Sequence, residues 1–561
     1  MYLSSLRIEN YRGIRNASLT FDHTTVLIGE NDSGRTAIFE ALTLVLGARA
    51  PNLRESIRAH HFHRPGGAPA APIRVIVHLA ETAAREWQPP ARLAVAWKQG
   101  PAAQRQAWLE VLAEEGGGGR IAVSWSLRTN LSGEPYFKDD PELLDWVRRL
   151  SPVIWLRSGL TTLAQNGEAP KVGSNTDVLL QRVGTHFRRL ITGDSTDLVR
   201  EIEEGTRAAH ECIQAHAVVM TGASLVGTMA SEILGYTGTN DRPSSLSTDL
   251  PVEKLGMVLV LGAISQVGEL KVGSDSRPIL LVDNPESNLH PMTVAAVWKL
   301  LQRFRFQKVL GTHSGNLLAN CPLSSIRRLI RRNGVVQQRQ VFVRRFSRED
   351  LRRVSYHVRS RRASAMFARC WLLVEGESEF WIMPELARVM GVDLAAEGVV
   401  CVEFAQCGLL PLVKLAEQLG ISWHVLTDGD EAGARYQEVA VKHGGASRAT
   451  RLIAPDIEHC FWRSGYQAVI QRMAFPGAAP AQVSPRRQIA RAIERSSKPF
   501  LALSLVDAVA KAGPKGVPAE LREAIEGCLS LAREAPGLFP PSSGRAARAR
   551  GQLAHRTERS S

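Results

Sequence analysis

The sequence predicts an α/β protein of two consecutive units, each organised around parallel strands. Three observations carry that expectation. A strand, a glycine-rich turn and a helix follow one another near residue 30; a wholly apolar strand over 278–282 ends in an acid; and a second α/β alternation begins at Trp371. Short unbroken apolar runs bounded by turns suit strands covered on both faces, the usual condition of a parallel sheet. A length of 561 residues exceeds one ordinary core, so two or three domains are the default.

Taken in order, the opening alternates at Leu6 and Ile8, turns at Tyr11-Arg12-Gly13 and resumes as a strand over 17–21. Residues 25–28 then run into Gly29-Glu30-Asn31-Asp32-Ser33-Gly34-Arg35-Thr36, and apolar positions at Ile38, Leu42, Leu44 and Val45 predict a helix over 36–46. Strands are predicted over 73–79 and 121–127, with a loop at Gly116 to Gly119, and a polar helical insertion over about 175–250. Strands over 278–282 and 308–311 follow. Between Arg327 and Arg362 thirteen arginines meet only Glu349 and Asp350, and the domain boundary is placed there. The second unit has strands over 371–374, 399–403 and 423–426, with helices between and after them, the last over 520–532. Beyond 540, Arg545, Arg548, Arg550, Arg556 and Arg559 sit among Ala, Ser and Gly, too little apolar content to pack, so a disordered tail is expected.

Composition narrows the function classes. An apolar fraction of 44% with 22% charged residues is that of a soluble globular chain. The net charge of +14 suits a polyanionic partner, although an Arg-rich tail alone would also raise it. Seven cysteines, an odd number without a C-x-x-C pair, argue against a disulfide framework and a zinc ribbon and suit a reducing compartment. Residues 1–7 carry no apolar signal core and no run is long enough to span a bilayer, so a cytoplasmic location without membrane is expected.

Two segments carry chemistry. The first is the glycine turn. Backbone N–H groups of such a loop wrap phosphates, and the dipole of the following helix adds attraction. Gly29 and Gly34 give the loop its freedom, Asn31 lies within it, Arg35 supplies positive charge and Thr36 is placed to ligate Mg²⁺. Asp283 ends the apolar strand, Pro285-Glu286-Ser287-Asn288 follows, and Thr312-His313-Ser314 ends the next strand. Ends of parallel strands converge on a ligand crevice. The second segment pairs Glu375-Gly376-Glu377-Ser378-Glu379 with Asp428-Gly429-Asp430, each just past an apolar strand. Oxygen-only ligands of this kind suit Mg²⁺ or Mn²⁺, and crowded acids repel unless cations sit among them.

The first set resembles the ATP-binding-cassette (ABC) ATPases of the SMC/Rad50-like type, in which a P-loop, an apolar strand ending in acid-acid-Pro-Glu, a D-loop and a Thr-His-Ser switch occur in this order. The resemblance implies ATP as ligand, with Arg35 and Thr36 on phosphate and Mg²⁺, Asp283 on the metal, Asn288 at an opposing subunit and His313 at the γ-phosphate. The chain departs from the pattern in having Arg35 for the usual Lys and Asn284 where the family carries its water-activating Glu, and 255–258 is at best a degenerate signature. Nucleotide binding with slow hydrolysis follows.

The second set resembles the Toprim fold of topoisomerases, primases and certain nucleases, and the two joined resemble the OLD (overcoming lysogenization defect) nucleases. The resemblance is closest over 371–385, 402–409 and 424–433. It implies Glu375, Glu379, Asp428 and Asp430 as metal ligands, Glu375 and Asp428 as catalytic groups, a general-base share for Glu375, and Lys498 near the scissile phosphate. Residues 456–461 are also similar, without a role assigned to His459. The implied layout is an ATPase domain over 1–345, a basic linker over 346–365, a Toprim domain over 366–535 and the tail over 536–561. The implied function is an ATP-regulated, divalent-metal-dependent DNA endonuclease of DNA repair or phage defence, acting as a homodimer on DNA, with room for a further partner protein. The alternative is a nucleotide-switched DNA-binding clamp with weak or no cleavage. A topoisomerase would need a nucleophilic Tyr on a separate gate domain, for which seven tyrosines offer no region.

Overall fold

In the computed structural model, which describes residues 2–47, 53–65, 70–82, 98–99, 104–128, 135–156, 277–286, 294–295, 298–299, 301–302, 307–361, 363–475, 477 and 483–535, the chain divides into units 1–338 and 339–561. The expected insertion over 175–250, Asn288, residues 255–258 and the tail lie outside the described residues.

The first unit is one sheet with two characters. β1 (Tyr2–Tyr11), β2 (Ile14–Thr20), β3 (Thr24–Gly29), β4 (Ile73–Ala80), β5 (Lys98–Gln99), β6 (Arg105–Glu115), β7 (Ile121–Arg128) and β8 (Pro135–Tyr136) come first in the chain. β9 (Val153–Leu156), β10 (Ile279–Asp283), β11 (Gln307–Gly311), β12 (Ile326–Arg332) and β13 (Val335–Gln340) follow. Their order across the sheet is β8-β7-β6-β4-β1-β2-β13-β12-β3-β11-β10-β9, with β5 on β6. β8 to β2 form an antiparallel meander whose burial alternates, as in β4, where one face meets the core. β12, β3, β11, β10 and β9 are parallel neighbours, and β10 and β11 are buried along their whole length.

The α/β class and both parallel regions agree with the sequence reading. The arginine-rich stretch does not stay open chain: β12 and β13 lie inside the sheet, joined by Asn333-Gly334, both with positive φ, and Arg348–Arg361 is a helix. Asn-Gly in that conformation is the favoured two-residue strand connection. The helix after the glycine turn, Arg35–Leu46, buries Ile38, Phe39, Leu42, Val45 and Leu46. Arg148 donates to the carbonyls of Leu44 and Val45 at its far end, where positive charge suits the helix dipole.

The second unit holds a four-stranded parallel sheet: β14 (Cys370–Val374), β15 (Val399–Glu403), β16 (Ser422–Thr427) and β17 (Ala449–Arg451), ordered β15-β14-β16-β17. The chain steps from β14 out to β15, then returns to the other side of β14 as β16. That reversal opens a crevice at the carboxyl ends of β14 and β16. Helices Glu377–Val389, Lys498–Ala512 and Ala519–Glu534 add their buried residues to the β14 and β15 core. Trp371, fully buried, anchors β14 by donating to the Ala365 carbonyl. Six cysteines are described, all buried free thiols, and among the described residues no helix is long and apolar enough to cross a membrane.

Candidate functional site

At the first unit's parallel strands, β3 ends in Gly29 and the loop delivers Gly34 in the left-handed region, φ 91°, directly before the helix. A β-carbon at Gly29 would lie 2.8 Å from the Leu329 carbonyl oxygen and from Ser33 Cβ, so the loop folds back as tightly as only glycine allows. Arg331 of β12 donates to the Asp32 carbonyl (2.9 Å) and braces the loop from the side. No side chain caps the helix, and no hydrogen bond among the described residues engages the backbone N–H groups of Gly34, Arg35 or Thr36. Asn31 and Thr36 are exposed at the mouth. Helix N-terminal N–H groups left open in this way can accept an anion.

Arg35 does not join that mouth. Its side chain is buried and turns under the ends of β10 and β11. Nη1 donates to the Thr312 carbonyl (3.0 Å), Nη2 to Asn284 Oδ1 (3.0 Å) and to His313 Nε2 (2.5 Å), and Nε stands 3.3 Å from Asp283 Oδ1 as an ion pair. Burial lowers the Arg35 pKa and raises that of Asp283, while each charge opposes the shift of the other. Burial and then Arg35 push the His313 imidazole below its ordinary range, consistent with a neutral ring accepting from the guanidinium. Glu286 Oε1 accepts from the Thr312 hydroxyl (2.7 Å) and the His313 N–H (3.0 Å), fixing the switch segment. The donor set for Mg²⁺ is therefore short: Thr36 is open, but Asp283 already faces a cation and the next position is the neutral Asn284.

In the second unit three strand ends bring acids to one edge. Glu375 follows β14, Asp428 follows β16, and Asp456 and Glu458 follow β17. Glu379 is buried on the first turn of helix Glu377–Val389 and accepts from the Gly376 N–H (3.1 Å). Asp430 caps helix Glu431–Gly444 by accepting from Gly433 N–H (2.7 Å). Glycine is compulsory here: a β-carbon at Gly429 would lie 2.3 Å from the Ala454 carbonyl oxygen, and one at Gly433 only 1.9 Å from that of Asp428. Arg451 of β17 holds the turn by donating to the Gly429 (2.7 Å) and Asp430 (3.0 Å) carbonyls.

The electrostatics record the crowding. Burial, then Glu379, Glu375, Asp456 and Glu458, push the Asp428 carboxyl up to about 8. Glu375 is raised by burial and by Asp430, and Glu379 chiefly by burial. Glu375 Oε2 is buried with no hydrogen-bond partner. Among the described residues no three His, Cys, Asp or Glu side chains already enclose one point. The acids fit Mg²⁺ or Mn²⁺ held by one or two carboxylates at a time with water completing the shell, the mode Mg²⁺ favours.

Asp456 and Glu458 are the residues that sequence reasoning left without a role. Asp456 accepts from His459 Nδ1 (2.7 Å) and N–H (2.8 Å), while Glu458 is buried and accepts from the Ser378 hydroxyl (3.0 Å). Lys498 begins helix Lys498–Ala512 after Ser497 and is exposed, and no hydrogen bond or ion pair joins it to the acids. Arginines of the stretch from 327 are partly spent inside the first unit: Arg327 is buried and pairs with Asp22, and Arg331 braces the glycine loop.

Comparison with known proteins adds the following. The family model described as a protein of unknown function (DUF2813) matches residues 1–365, and that described as the TOPRIM domain of overcoming-lysogenization-defect-like proteins matches 366–430. The chain is 32% identical over 568 residues to the uncharacterized protein YbjD of Escherichia coli K12, covering 95% of this chain and 99% of that protein. It is 26% identical over 467 residues to the OLD nuclease of Thermus scotoductus, covering 76% of this chain and 82% of that protein. The C-terminal region of the Burkholderia pseudomallei OLD protein, a solved structure, is 21% identical and covers 30% of this chain and 99% of that one, with a TM-score of 0.26.

Proposed function

From the premise that the chain belongs to the DUF2813 family and continues into an OLD-like Toprim domain, we propose that it is a divalent-metal-dependent DNA endonuclease governed by ATP. One observation carries the reading: acids leaving three neighbouring parallel strands crowd one edge of the second unit, and burial with their charge pushes the Asp428 carboxyl up to about 8. Carboxylates that raise one another's pKa, one of them, Glu375, with an unpartnered buried oxygen, suit a cation-binding site. A bound Mg²⁺ or Mn²⁺ would polarise the phosphodiester and acidify a water.

The chain's own groups divide the remaining work. Asp428, once deprotonated, would hold the metal with Glu379 and Asp430. Glu375, whose Oε2 has no internal partner, takes the proton of the attacking water as the phosphorus–oxygen bond breaks. Lys498 would lie near the scissile phosphate and offset its charge, while the departing sugar oxygen takes a proton from solvent water. The first unit binds ATP at Gly29, Asn31, Gly34 and Thr36, with Asp283 and His313 at the strand ends, and regulates access of DNA in a homodimer that serves repair or phage defence. Exposed arginines of 344–353 add contacts to phosphate, so binding weakens steeply with salt.

The test is plasmid cleavage by the purified full chain with Mg²⁺ or Mn²⁺, with and without ATP. Supercoiled and linear DNA are both cut, and Asp428→Ala stops it; undiminished cutting by that variant refutes the assignment. A second reading, a nucleotide-switched DNA clamp, is favoured by Arg35 and Asn284, which stand where the ATPase pattern has Lys and a water-activating Glu and which contact each other. DNA binding without cutting under every metal selects it.

A further inference from the structure

Arg35 and Asn284 are 249 positions apart, and each alone departs from the ATPase pattern, yet the fold puts them in contact. Around them stand Asp283, Thr312 and His313, so one guanidinium is gripped by a carboxylate, an amide oxygen, a backbone carbonyl and a ring nitrogen. The two Nη groups serve three acceptors while Nε stands 3.3 Å from Asp283 Oδ1 as an ion pair without a hydrogen bond; a lysine ammonium, a single point, cannot span these partners together.

The neighbours are shaped for it. Gly311, at the end of β11, leaves the passage open: a β-carbon there would lie 2.5 Å from Arg35 Cδ and 3.0 Å from Asp283 Oδ1. Asn284 has φ 48°, in the left-handed region that Asn enters more readily than most residues, Glu among them. The Asn side chain is also neutral, so it accepts from Arg35 without drawing the cation away from Asp283. The phosphate cradle, by contrast, is left to backbone N–H groups and Thr36, which need no metal to attract an anion.

We propose that Arg35 is a built-in counter-cation at the nucleotide site, standing at Asp283 where a divalent ion would stand, so that this site takes a nucleoside triphosphate without divalent metal and retains it. The proposal rests on the reading that the first unit binds nucleotide. It confines the protein's divalent-metal requirement to the second unit.

Equilibrium binding of a fluorescent ATP analogue to the full chain, in excess EDTA and in excess Mg²⁺, tests it. The wild-type dissociation constants agree within about threefold. In Arg35→Lys, whose single ammonium releases Asp283, Mg²⁺ strengthens binding by at least about tenfold, and adding Asp283→Asn removes that gain. Melting curves of each variant show that the fold persists. Wild-type binding that demands Mg²⁺ overturns the proposal while sparing the nucleotide reading. Binding under neither condition overturns both. An Arg35→Lys protein as indifferent to metal as the wild type removes Arg35 from the role.

Discussion

Both sheets gather acids at the carboxyl ends of parallel strands, and they dispose of the charge in opposite ways. In the first unit Asp283 has an internal cation, Arg35, buried with it. In the second, Glu375, Glu379, Asp428, Asp456 and Glu458 have one another, and Asp428 is driven up to about 8. Topology alone thus does not say whether a strand-end acid is a finished structural element or an unfinished metal site. The sign of the nearest buried charge says it.

The contrast breaks most plainly in catalysis. Asp428→Ala lowers plasmid cleavage by about 10³-fold or more, whereas the contrasting Asp283→Asn leaves cutting measured without ATP within about threefold, since only the former acid belongs to the proposed cutting centre. Equal losses in the two variants would erase the distinction.

Stability gives the next largest effect. Arg35→Ala strands a buried carboxylate and destabilises the first unit by about 3–5 kcal/mol, read from denaturant unfolding. A loss under about 1 kcal/mol would mean that the pair is solvated and exchangeable.

Metal binding in the second unit depends on pH. Below about 8 Asp428 holds a proton that a metal must displace, so Mn²⁺ affinity, measured by calorimetry, rises by up to about tenfold per pH unit and levels off above that value. A flat profile between pH 6 and about 8 would contradict the crowding.

The smallest effect has an unusual sign. The folded Asp428 pKa lies above its unfolded value, so the native state binds more protons between about 4 and 8 and loses stability as pH rises through that window. Asp428→Asn removes the penalty: without divalent metal at alkaline pH it melts about 2–4 °C higher than the wild type while failing to cut DNA. Lower melting would show that the acids are already compensated within the chain.

Much of this was legible in the sequence because its signals are local. The glycine turn, the apolar strands β10, β11, β14 and β16, and the acids directly after them lie in short windows. What escaped depends on distance or on weak strands. β17 is Ala-Thr-Arg, with no apolar run to mark it, so Asp456 and Glu458 could not be read as following a strand. The Arg35–Asn284 contact joins residues whose separate oddities gave no hint of their meeting. Strands β12 and β13 went unread in the arginine-rich stretch because charge masked Ile326 and Leu329, although Asn333-Gly334 was a usable turn signal.

The loop braced by Arg331 has one consequence in mechanics. Chain leaving the first unit does so through β13, joined by a two-residue turn to β12, which carries the guanidinium gripping the Asp32 carbonyl. A displacement of β13 would therefore pass through that turn to β12 and, by way of the Arg331 guanidinium, to the glycine loop.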